Sequence, residues 1–414
     1  MCENCLRDHA LITRLGTKGH DVVVIPIYLP TPDTIKSADA PVPPFYGAVR
    51  VYLEHRFPVF KRAPQWLKRW LDSPRVLRMA GRQSGTASSR NLGELTLSVL
   101  RGENGGQAAE LDTLCNWLRD TQQRPDIIHL SNALLLGMAR RLNATLNVPV
   151  ICSLQDEDTW IDAMPEPLAS QIWAEIRTRV SDVAGFITAS QYYADKILPR
   201  LSIPADRVRV VHPCLDASRY SQPHPSDRHA HPVWNVLLDP DDDASLRFIL
   251  QAFTHAKQHP SCANLHLHCS GISRRNNRLD PQTQRHVQCS PLMTNAEERL
   301  AFIQSSTVYT VLHRNAVAFD LSLLEAMASG IPVLQPNSGA NPEILTLAHG
   351  GTLFEPDNAG ALTETLISLL NTPTHLATLR QQGRQDTATR FAIDRMAQET
   401  INAYEMGLGL VVSG

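Results

Sequence analysis

Apolar and polar residues along this chain recur with two periods, one typical of buried strands and one typical of helices. Between residues 126 and 212 the two patterns alternate regularly. They predict strands 126–130, 148–154, 185–189 and 208–212, separated by helices 133–147, 166–182 and 191–201. Strands that alternate with helices of this length form a parallel sheet covered on both faces. This part of the chain is therefore predicted to be an α/β domain.

The preceding residues follow a less regular pattern. Residues 2–15 have helical spacing and lead through "GTKGHD" into an apolar strand at 22–28. Residues 30–90 are irregular and rich in proline, and helical spacing returns over 93–118. We therefore predict one domain over residues 1–215, with its regular sheet in the second half.

The apolar pattern stops in residues 216–232, where Pro, Ser and His dominate, and this stretch is predicted to be a linker. A second domain is predicted over residues 233–392, followed by a C-terminal helix within 393–414. Its most distinct elements are the strand 234–238 and the helices 358–371, 373–391 and 394–405.

One stretch of the second domain, "FDLSLLEAMASGIPVLQPNSGANPEIL" at 319–345, combines helix, strand and turn signals. Apolar residues recur at helical spacing over 321–329, and Gly330 is placed to end that helix. A short strand at 331–334 follows. The small residues after it let backbone approach a ligand closely before another helix starts at Pro342.

This stretch resembles the C-terminal signature of the family 4 glycosyltransferases, a large retaining group, and the resemblance continues through "HGGTLFEPDNAGALTETLISLL". It implies an α/β protein of GT-B architecture, with two Rossmann-like doubly wound domains facing a central cleft. The N-terminal domain would bind the acceptor and the C-terminal domain the nucleotide-sugar donor, with the last helix crossing back to the N-terminal domain. The implied reaction transfers a hexose, with retention of its anomeric configuration, to a saccharide, lipid-linked or other cell-envelope acceptor. The resemblance implies no cofactor and no metal ion.

The resemblance also covers the start of the chain. In this group a segment similar to "CENCLRDHAL" follows a first strand and a glycine-rich turn, and "GHDVVVIPIY" corresponds to the second strand. The first strand and its turn are absent before Cys2. We therefore expect Met1 to be an internal methionine of a longer reading frame, or the ancestral start to have been lost. By the same resemblance, Asn4 and Arg7 are expected on the acceptor side.

The resemblance assigns five donor-binding residues. Glu325 matches the second of the family's paired glutamates and would accept hydrogen bonds from the donor ribose. Leu321 and Ser322 lie at the amide end of the same helix, which attracts a diphosphate. Gly339 and Ala340 lie in the following turn. A purely structural alternative is a capping box formed by Ser322 and Glu325.

The expected catalytic residues differ from the family pattern. In many members a histidine follows the strand that ends here at residue 154, and Gln155 takes its place. A glutamine can hydrogen-bond a sugar hydroxyl but cannot transfer a proton at neutral pH. The first family glutamate falls on Val317, or on Asn315 if two residues were inserted. Asp158 would orient acceptor hydroxyls, or alternatively cap a helix.

The family's arginine and lysine, which clamp the diphosphate, fall on Asp239 and Ala244 in "LLDPDDDAS". A row of acids would repel a diphosphate, and losing one charge-stabilising donor costs about 10²- to 10³-fold in rate. Arg247, or the arginines of "RRNNR" at 274–278, could compensate. Two functions therefore stay open, an active glycosyltransferase and a glycosyltransferase-like binding or partner protein that has lost catalysis.

Composition and charge limit the partners and the cellular location that we expect for this chain. The chain has 414 residues, enough for two cores, with 43% hydrophobic residues and a net charge of −2, so nothing demands a nucleic-acid partner. No run of about 18 apolar residues exists, and the charged start does not resemble a signal peptide. Scattered cysteines are typical of a reduced compartment, and Cys2 with Cys5 lack the second pair that a four-thiolate zinc site needs. We therefore expect a cytoplasmic protein.

One basic segment qualifies that expectation. Residues 60–82 carry seven lysines and arginines against one acid, with Trp66 and Trp70 interleaved. Such a segment can rest on an anionic membrane surface, here the inner face of the membrane. The alternative is a solvated helical insertion that packs its tryptophans on the N-terminal domain.

Overall fold

A computed structural model describes residues 3–25, 27, 89–120, 124–220, 231–273, 285–293 and 295–409. The chain divides into two compact units. The first unit comprises Leu15–Thr188, Ala194–Val210 and Thr400–Gly414, and the second unit comprises Met1–Arg14, Ala189–Tyr193 and Val211–Glu399. Each unit contains one parallel β-sheet.

The strands of the described residues are, in chain order, β1 (Ile128–Leu130), β2 (Val150–Leu154), β3 (Gly185–Thr188), β4 (Val208–Val210), β5 (Val233–Leu238), β6 (His266–Ser270), β7 (Val287–Ser290), β8 (Val308–Leu312), β9 (Val333–Pro336) and β10 (Gly351–Phe354).

The α-helices of the same residues are α1 (Glu3–Thr17), α2 (Ser89–Leu100), α3 (Ala108–Asp120), α4 (Ala139–Leu146), α5 (Glu157–Asp162), α6 (Leu168–Arg179), α7 (Gln191–Leu201), α8 (Asp243–Ala256), α9 (Ala296–Gln304), α10 (Leu321–Ala328), α11 (Asn341–Ala348), α12 (Ala359–Asn371), α13 (Pro373–Arg390) and α14 (Ile393–Gly407).

The sheet of the first unit contains β1 to β4 in sequential order, with every neighbouring pair parallel. All five residues of β2 are buried, as expected for a strand with helices on both faces. In this unit α2 packs against α6 and α3 packs against α4. The hydrophobic faces of these helices supply the remaining core.

The sheet of the second unit has the order β10-β9-β8-β5-β6-β7, again parallel throughout. This is the doubly wound order, in which the first strand of the unit lies centrally and the chain reverses direction across the sheet there. Trp234 of β5 is fully buried and donates its indole N–H to Thr310 Oγ1 of β8 at 2.9 Å. The helices α8 and α12 pack together against this sheet.

Most predicted elements are confirmed, with ends that differ by a few residues. The predicted helix 133–147 is a 3₁₀ helix over Ala133–Met138 that continues as α4, and the predicted strand 331–334 is β9, two residues later. The prediction of two parallel-sheet α/β domains is confirmed.

The predicted strand 22–28 is wrong over its described part. Residues 21–25 have no strand assignment, and Val23 is 42% exposed. A run of apolar residues becomes a strand only when a neighbouring strand supplies ladder hydrogen bonds, and no described strand pairs with these residues.

Of the helices that the structure describes, none is both long enough and apolar enough to cross a bilayer.

Candidate functional site

Strand order locates the candidate ligand edge of the second unit. The chain reverses at β5, so the carboxyl ends of β5 and β8 form a topological switch point, where open α/β sheets bind ligands. These strands end at Leu238 and Leu312, and the next residues are Asp239, His313 and Arg314. The sequence therefore places charged side chains at this edge.

The imidazole of His313 bridges two carboxylates. Its Nδ1 lies 3.0 Å from Asp239 Oδ1, and its Nε2 lies 2.9 Å from Asp320 Oδ2. Because both ring nitrogens face carboxylate oxygens, both carry protons and the ring is an imidazolium. The contact links the end of β5, the end of β8 and the residue before α10.

Electrostatics favour the charged form of every member of this network. Burial opposes a charge on His313, but the hydrogen bonds to Asp239 and Asp320 outweigh it and raise the pKa of His313 to about 10. Burial also opposes charge on both carboxyls, but the His313 imidazolium holds the pKa of Asp239 and that of Asp320 below their usual range. Because the network contains two carboxylates and one imidazolium, its net charge is negative.

Arg314 adds a cation beside the network. Its backbone N–H donates to Asp239 Oδ2 at 2.8 Å, and its Nη2 donates to the Pro240 carbonyl at 2.7 Å. Its side chain is 54% exposed and its Nε lies 3.6 Å from Asp242 Oδ2. Asp239 is therefore held by the His313 imidazolium and by the Arg314 backbone N–H, and it is not an isolated acid.

The other residues considered for contact with the diphosphate are Ala244, Arg247 and the arginines at 274–278. Ala244 lies in the first turn of α8, where its N–H donates to the helix-capping Asp242 at 3.1 Å. Arg247 is exposed on the same helix. The arginines at 274–278 lie outside the described residues.

The start of α10 is capped by Asp320. Its Oδ1 accepts the Ser322 N–H at 2.8 Å and the Ser322 hydroxyl at 2.6 Å. The proposed capping box of Ser322 and Glu325 is therefore wrong, because the helix begins before Ser322 and a carboxylate already caps it. Leu321 and Ser322 are both buried in the first turn.

Glu325 projects from α10 into a buried ion pair. Arg299 of α9 donates from Nε and Nη2 to its two oxygens, each at 2.8 Å, and the Tyr220 hydroxyl donates to Oε1 at 3.0 Å. Burial and the Glu325 charge raise the pKa of Tyr220, so the phenol keeps its proton. A carboxylate has about four acceptor positions, and these contacts occupy three of them. Among the described residues, one acceptor position of Glu325 has no donor.

The turn between β9 and α11 lies against the residues after β8. Gly339 has a φ of 61°, and a Cβ there would lie 3.3 Å from Ala316 Cβ and from the Val317 carbonyl oxygen. Ala340 is buried directly before α11. Asn315 is exposed, two residues beyond His313. The structure thus places Gly339, Ala340 and Asn315 in the same unit as Glu325.

In the first unit, polar residues tie together the ends of β1 and β2. Gln155 donates from Nε2 to the Ser131 carbonyl at 2.8 Å. Glu157 accepts the backbone N–H groups of Ala133 at 2.9 Å and Gln155 at 2.6 Å. The amide of Gln155 is therefore oriented by the loop that follows β1.

Asp158 lies within α5 and does not cap it. The residue at the cap is Asp156, which adopts a left-handed conformation with a φ of 55°. Asp158 Oδ2 lies 2.5 Å from Lys196 Nζ, whereas its buried Oδ1 has no hydrogen-bond partner in the described part of the chain. The helix-cap alternative for Asp158 is wrong, and its buried Oδ1 accepts from no donor among the described residues.

The other two expected acceptor-side residues lie on α1. Arg7 is nearly buried and donates from Nε to the neighbouring Asp8 at 2.9 Å. The side chain of Asn4 lies outside the described residues. Arg7 belongs to the second unit and Asp158 to the first.

Sequence reasoning missed Tyr220, Arg299, His313, Arg314 and Asp320. The run "VYTVL" before His313 is rich in strand-forming residues, so polar residues at its end could have been noticed. Arg299 and Tyr220 reach Glu325 from distant positions, and no sequence spacing signals such contacts. Within the described ranges no group of three or more His, Cys, Asp or Glu side chains is arranged to hold a metal ion.

Two family models match the chain. A model described as "Glycosyl transferases group 1" matches residues 238–372, and one described as "Glycosyl transferase 4-like domain" matches residues 9–214. The first begins at the last residue of β5 and covers β6 to β10 with Glu325, and the other includes β1 to β4.

Curated relatives match over shorter segments. The MMP alpha-(1->4)-mannosyltransferase of Mycolicibacterium hassiacum is 29% identical over 119 residues, which are 28% of this chain. The spore coat protein SA of Bacillus subtilis is 28% identical over 82 residues, which are 20% of this chain. The matching segments span 29% and 22% of the lengths of those two proteins.

Solved structures share the fold at low sequence identity. HepE of Anabaena in complex with UDP has a TM-score of 0.58 at 13% identity, over 73% of this chain and 83% of that chain. A glycosyltransferase from Rickettsia africae has a TM-score of 0.56 at 13% identity, over 77% and 94%. With the two parallel sheets, these likenesses confirm the predicted GT-B fold class.

We expect His313→Asn to destabilise the protein more below pH 6.5 than above pH 10. The folded-state pKa of His313 is raised from 6.5 to about 10, so its stabilisation is complete below 6.5 and is lost as the pH rises through 10. Denaturant unfolding at both pH extremes measures the two free-energy differences.

The control for that experiment is His349→Asn. His349 pairs with Asp386 at 2.9 Å but its side chain is 58% exposed, so this variant removes a histidine outside the network. A loss of stability in His313→Asn that is equal at both pH extremes would contradict the bridging imidazolium.

Proposed function

Since this chain belongs to the group 1 glycosyltransferases, we propose that it transfers a hexose from a nucleotide-sugar donor to a saccharide or lipid-linked cell-envelope acceptor, with retention. The second unit binds the donor, and Asp158 of the first unit is proposed on the acceptor side. The observation that carries the proposal is Glu325, a buried carboxylate held in place by Arg299 and left with one acceptor position. HepE, a protein with this fold, has been crystallised with UDP and with UDP-glucose.

The donor ribose is proposed to use that remaining position. A ribose hydroxyl that donates to Glu325 meets an ionised carboxylate whose geometry is already fixed, so little ordering cost is added on binding. The backbone of Leu321 and Ser322 and the close turn at Gly339 and Ala340 line the adjoining edge. This arrangement supports nucleotide recognition without a metal ion.

The donor diphosphate is proposed to contact Arg314. Its guanidinium has five N–H groups and is half exposed at the switch point, where a leaving diphosphate gathers negative charge. His313 fixes the residues around Arg314, because its imidazolium holds Asp239 in place. The charge stabilisation then comes from the end of β8, whereas the family pattern places it after β5.

The donor sugar is proposed to contact amide groups, and the acceptor is proposed to contact a carboxylate. Asn315 lies close in sequence to Arg314 and offers an amide to the donor sugar, and Gln155 offers a second amide oriented by Ser131. Asp158 Oδ1, buried without a partner in the described chain, suits an acceptor hydroxyl. We keep Arg7 and Asn4 as further acceptor-side residues.

A second candidate function is a glycosyltransferase-like binding or partner protein without turnover. The specific observation in its favour is Asp320, whose carboxylate occupies the amide end of α10. A diphosphate approaching that helix end would meet a negative charge there. Location in the cytoplasm and membrane contact through residues 60–82 stay predictions, and that segment lies outside the described residues.

We expect UDP or GDP to bind with micromolar affinity, with or without magnesium, and Glu325→Gln to lose most of that affinity. The glutamine removes the ionised acceptor of the ribose hydroxyl. Calorimetric titration of the full chain measures both, and Glu364→Gln, on the exposed face of α12, is the matched control. Unfolding midpoints must be compared, because Glu325→Gln also weakens the contact with Arg299. No binding at millimolar nucleotide would favour the non-catalytic candidate.

We expect Arg314→Gln to weaken UDP binding at least about tenfold and to leave uridine binding unchanged. A hydrogen bond to a charged group contributes about 1.5–3 kcal/mol, and uridine lacks the diphosphate. Titrations with the two ligands separate these contributions. Arg247→Gln removes a nearby exposed arginine, and a larger effect there than at Arg314 would reassign the diphosphate contact.

We expect the first sugar product to keep the anomeric configuration of the donor. Proton NMR during the first turnovers of UDP-glucose hydrolysis records that configuration before the free sugar equilibrates. Glu325→Gln is the control for contaminating hydrolase, since it should form no product. An inverted first product would refute the retaining reaction while leaving donor binding intact.

A further inference from the structure

Two cysteines lie directly opposite each other on neighbouring strands of the second unit. Cys269 of β6 is in register with Cys289 of β7, and the two strands are parallel. Side chains of registered residues in a parallel pair point to the same face of the sheet. Both cysteines accordingly pack against one hydrophobic cluster.

The spacing of the two strands suits a covalent bond between these residues. Neighbouring strands lie about 4.8 Å apart, and a disulfide joins Cα atoms about 4.4–6.8 Å apart. Among the cysteines that the structure describes, all six are free thiols. Cys269 is fully buried, whereas Cys289 is partly exposed on β7, the last strand of the described sheet on that side.

The thiols are also chemically unequal. A hydrogen bond from the Cys269 thiol to the Cys289 sulfur lowers the pKa of Cys289, although burial opposes this. The same hydrogen bond, together with burial, raises the pKa of Cys269. Cys289 is therefore the better nucleophile and the more accessible one, and Cys269 is the resolving thiol beside it.

We propose that Cys269 and Cys289 are a reversible redox modification site, which closes to an intramolecular disulfide when it meets a small-molecule disulfide such as oxidised glutathione. The Cys289 thiolate attacks one sulfur of oxidised glutathione, forms a mixed disulfide and releases one glutathione thiolate. Cys269 then gives up its proton and attacks Cys289 Sγ, which releases the second glutathione. The protein dithiol is oxidised by two electrons, and one glutathione disulfide is reduced to two thiols.

Backbone hydrogen bonds connect the cysteine pair to the ligand edge of the second unit. The N–H groups of Gly271 and Ile272 both donate to the Ser290 carbonyl at 3.0 Å, directly after the two cysteines. The Gly271 carbonyl in turn accepts the N–H of Asp241 at 2.9 Å, in the loop that begins with Asp239. The cysteine pair is therefore connected by backbone hydrogen bonds to the loop after β5.

The test is peptide mapping by mass spectrometry of the native full chain after treatment with oxidised glutathione. We expect a peptide pair linked through Cys269 and Cys289, the loss of two free thiols and their return with dithiothreitol. Cys269→Ser should accumulate glutathione on Cys289, because the resolving thiol is gone. Cys289→Ser should leave Cys269 unmodified, because Cys269 is buried.

Cys262→Ser is the matched control, since Cys262 is a buried thiol of the same hydrophobic cluster and its loss should leave the disulfide unchanged. Unfolding midpoints identify a serine variant that fails to fold, in which case the mapping of the unsubstituted protein decides alone. No linked pair in that protein, or a disulfide from either cysteine to a different partner, would overturn the proposal.

Discussion

The contact of one imidazolium with two carboxylates fixes the ligand edge of the second unit. His313 holds Asp239 at the end of β5 and Asp320 at the start of α10, each through a separate ring nitrogen. Asp320 is the buried member of the network, and a buried charge without its partner costs several kcal/mol, so the contact with His313 anchors the start of α10. The placement of Arg314, whose N–H bonds Asp239, and of α10, which carries Glu325, both depend on it.

The network changes how the departures from the family pattern are understood. Asp239 at the position of an arginine looked like a plain loss of positive charge. In the structure that acid is bound by His313 and by the backbone of Arg314, so the charge of Asp239 is compensated from the end of β8. The helix start remains the weak point, because Asp320 brings a carboxylate there.

The sequence predicted what depends on periodic burial and missed what depends on contacts between distant segments. The strands and helices of residues 126–212 and the helices of residues 358–405 follow from apolar spacing, whereas the family pattern singled out Glu325 and the turn at Gly339, whose roles stay predictions. The partners of Glu325 did not follow, because Arg299 and Tyr220 reach it through tertiary packing alone. The strand predicted at 22–28 is wrong over its described part, because an apolar run describes a single segment, whereas a strand forms only with a neighbouring strand.

The pairing of Glu325 with Arg299 fits the proposal that this carboxylate serves a ligand. A carboxylate that is 8% exposed carries a large desolvation cost unless hydrogen-bond donors compensate it. The two bonds from Arg299 and the one from Tyr220 hold it in a single orientation. Among the described residues, these contacts leave one acceptor position without a donor. If a ribose hydroxyl binds there, as we propose, the acceptor is already oriented before the ligand arrives, and this holds whether or not transfer follows.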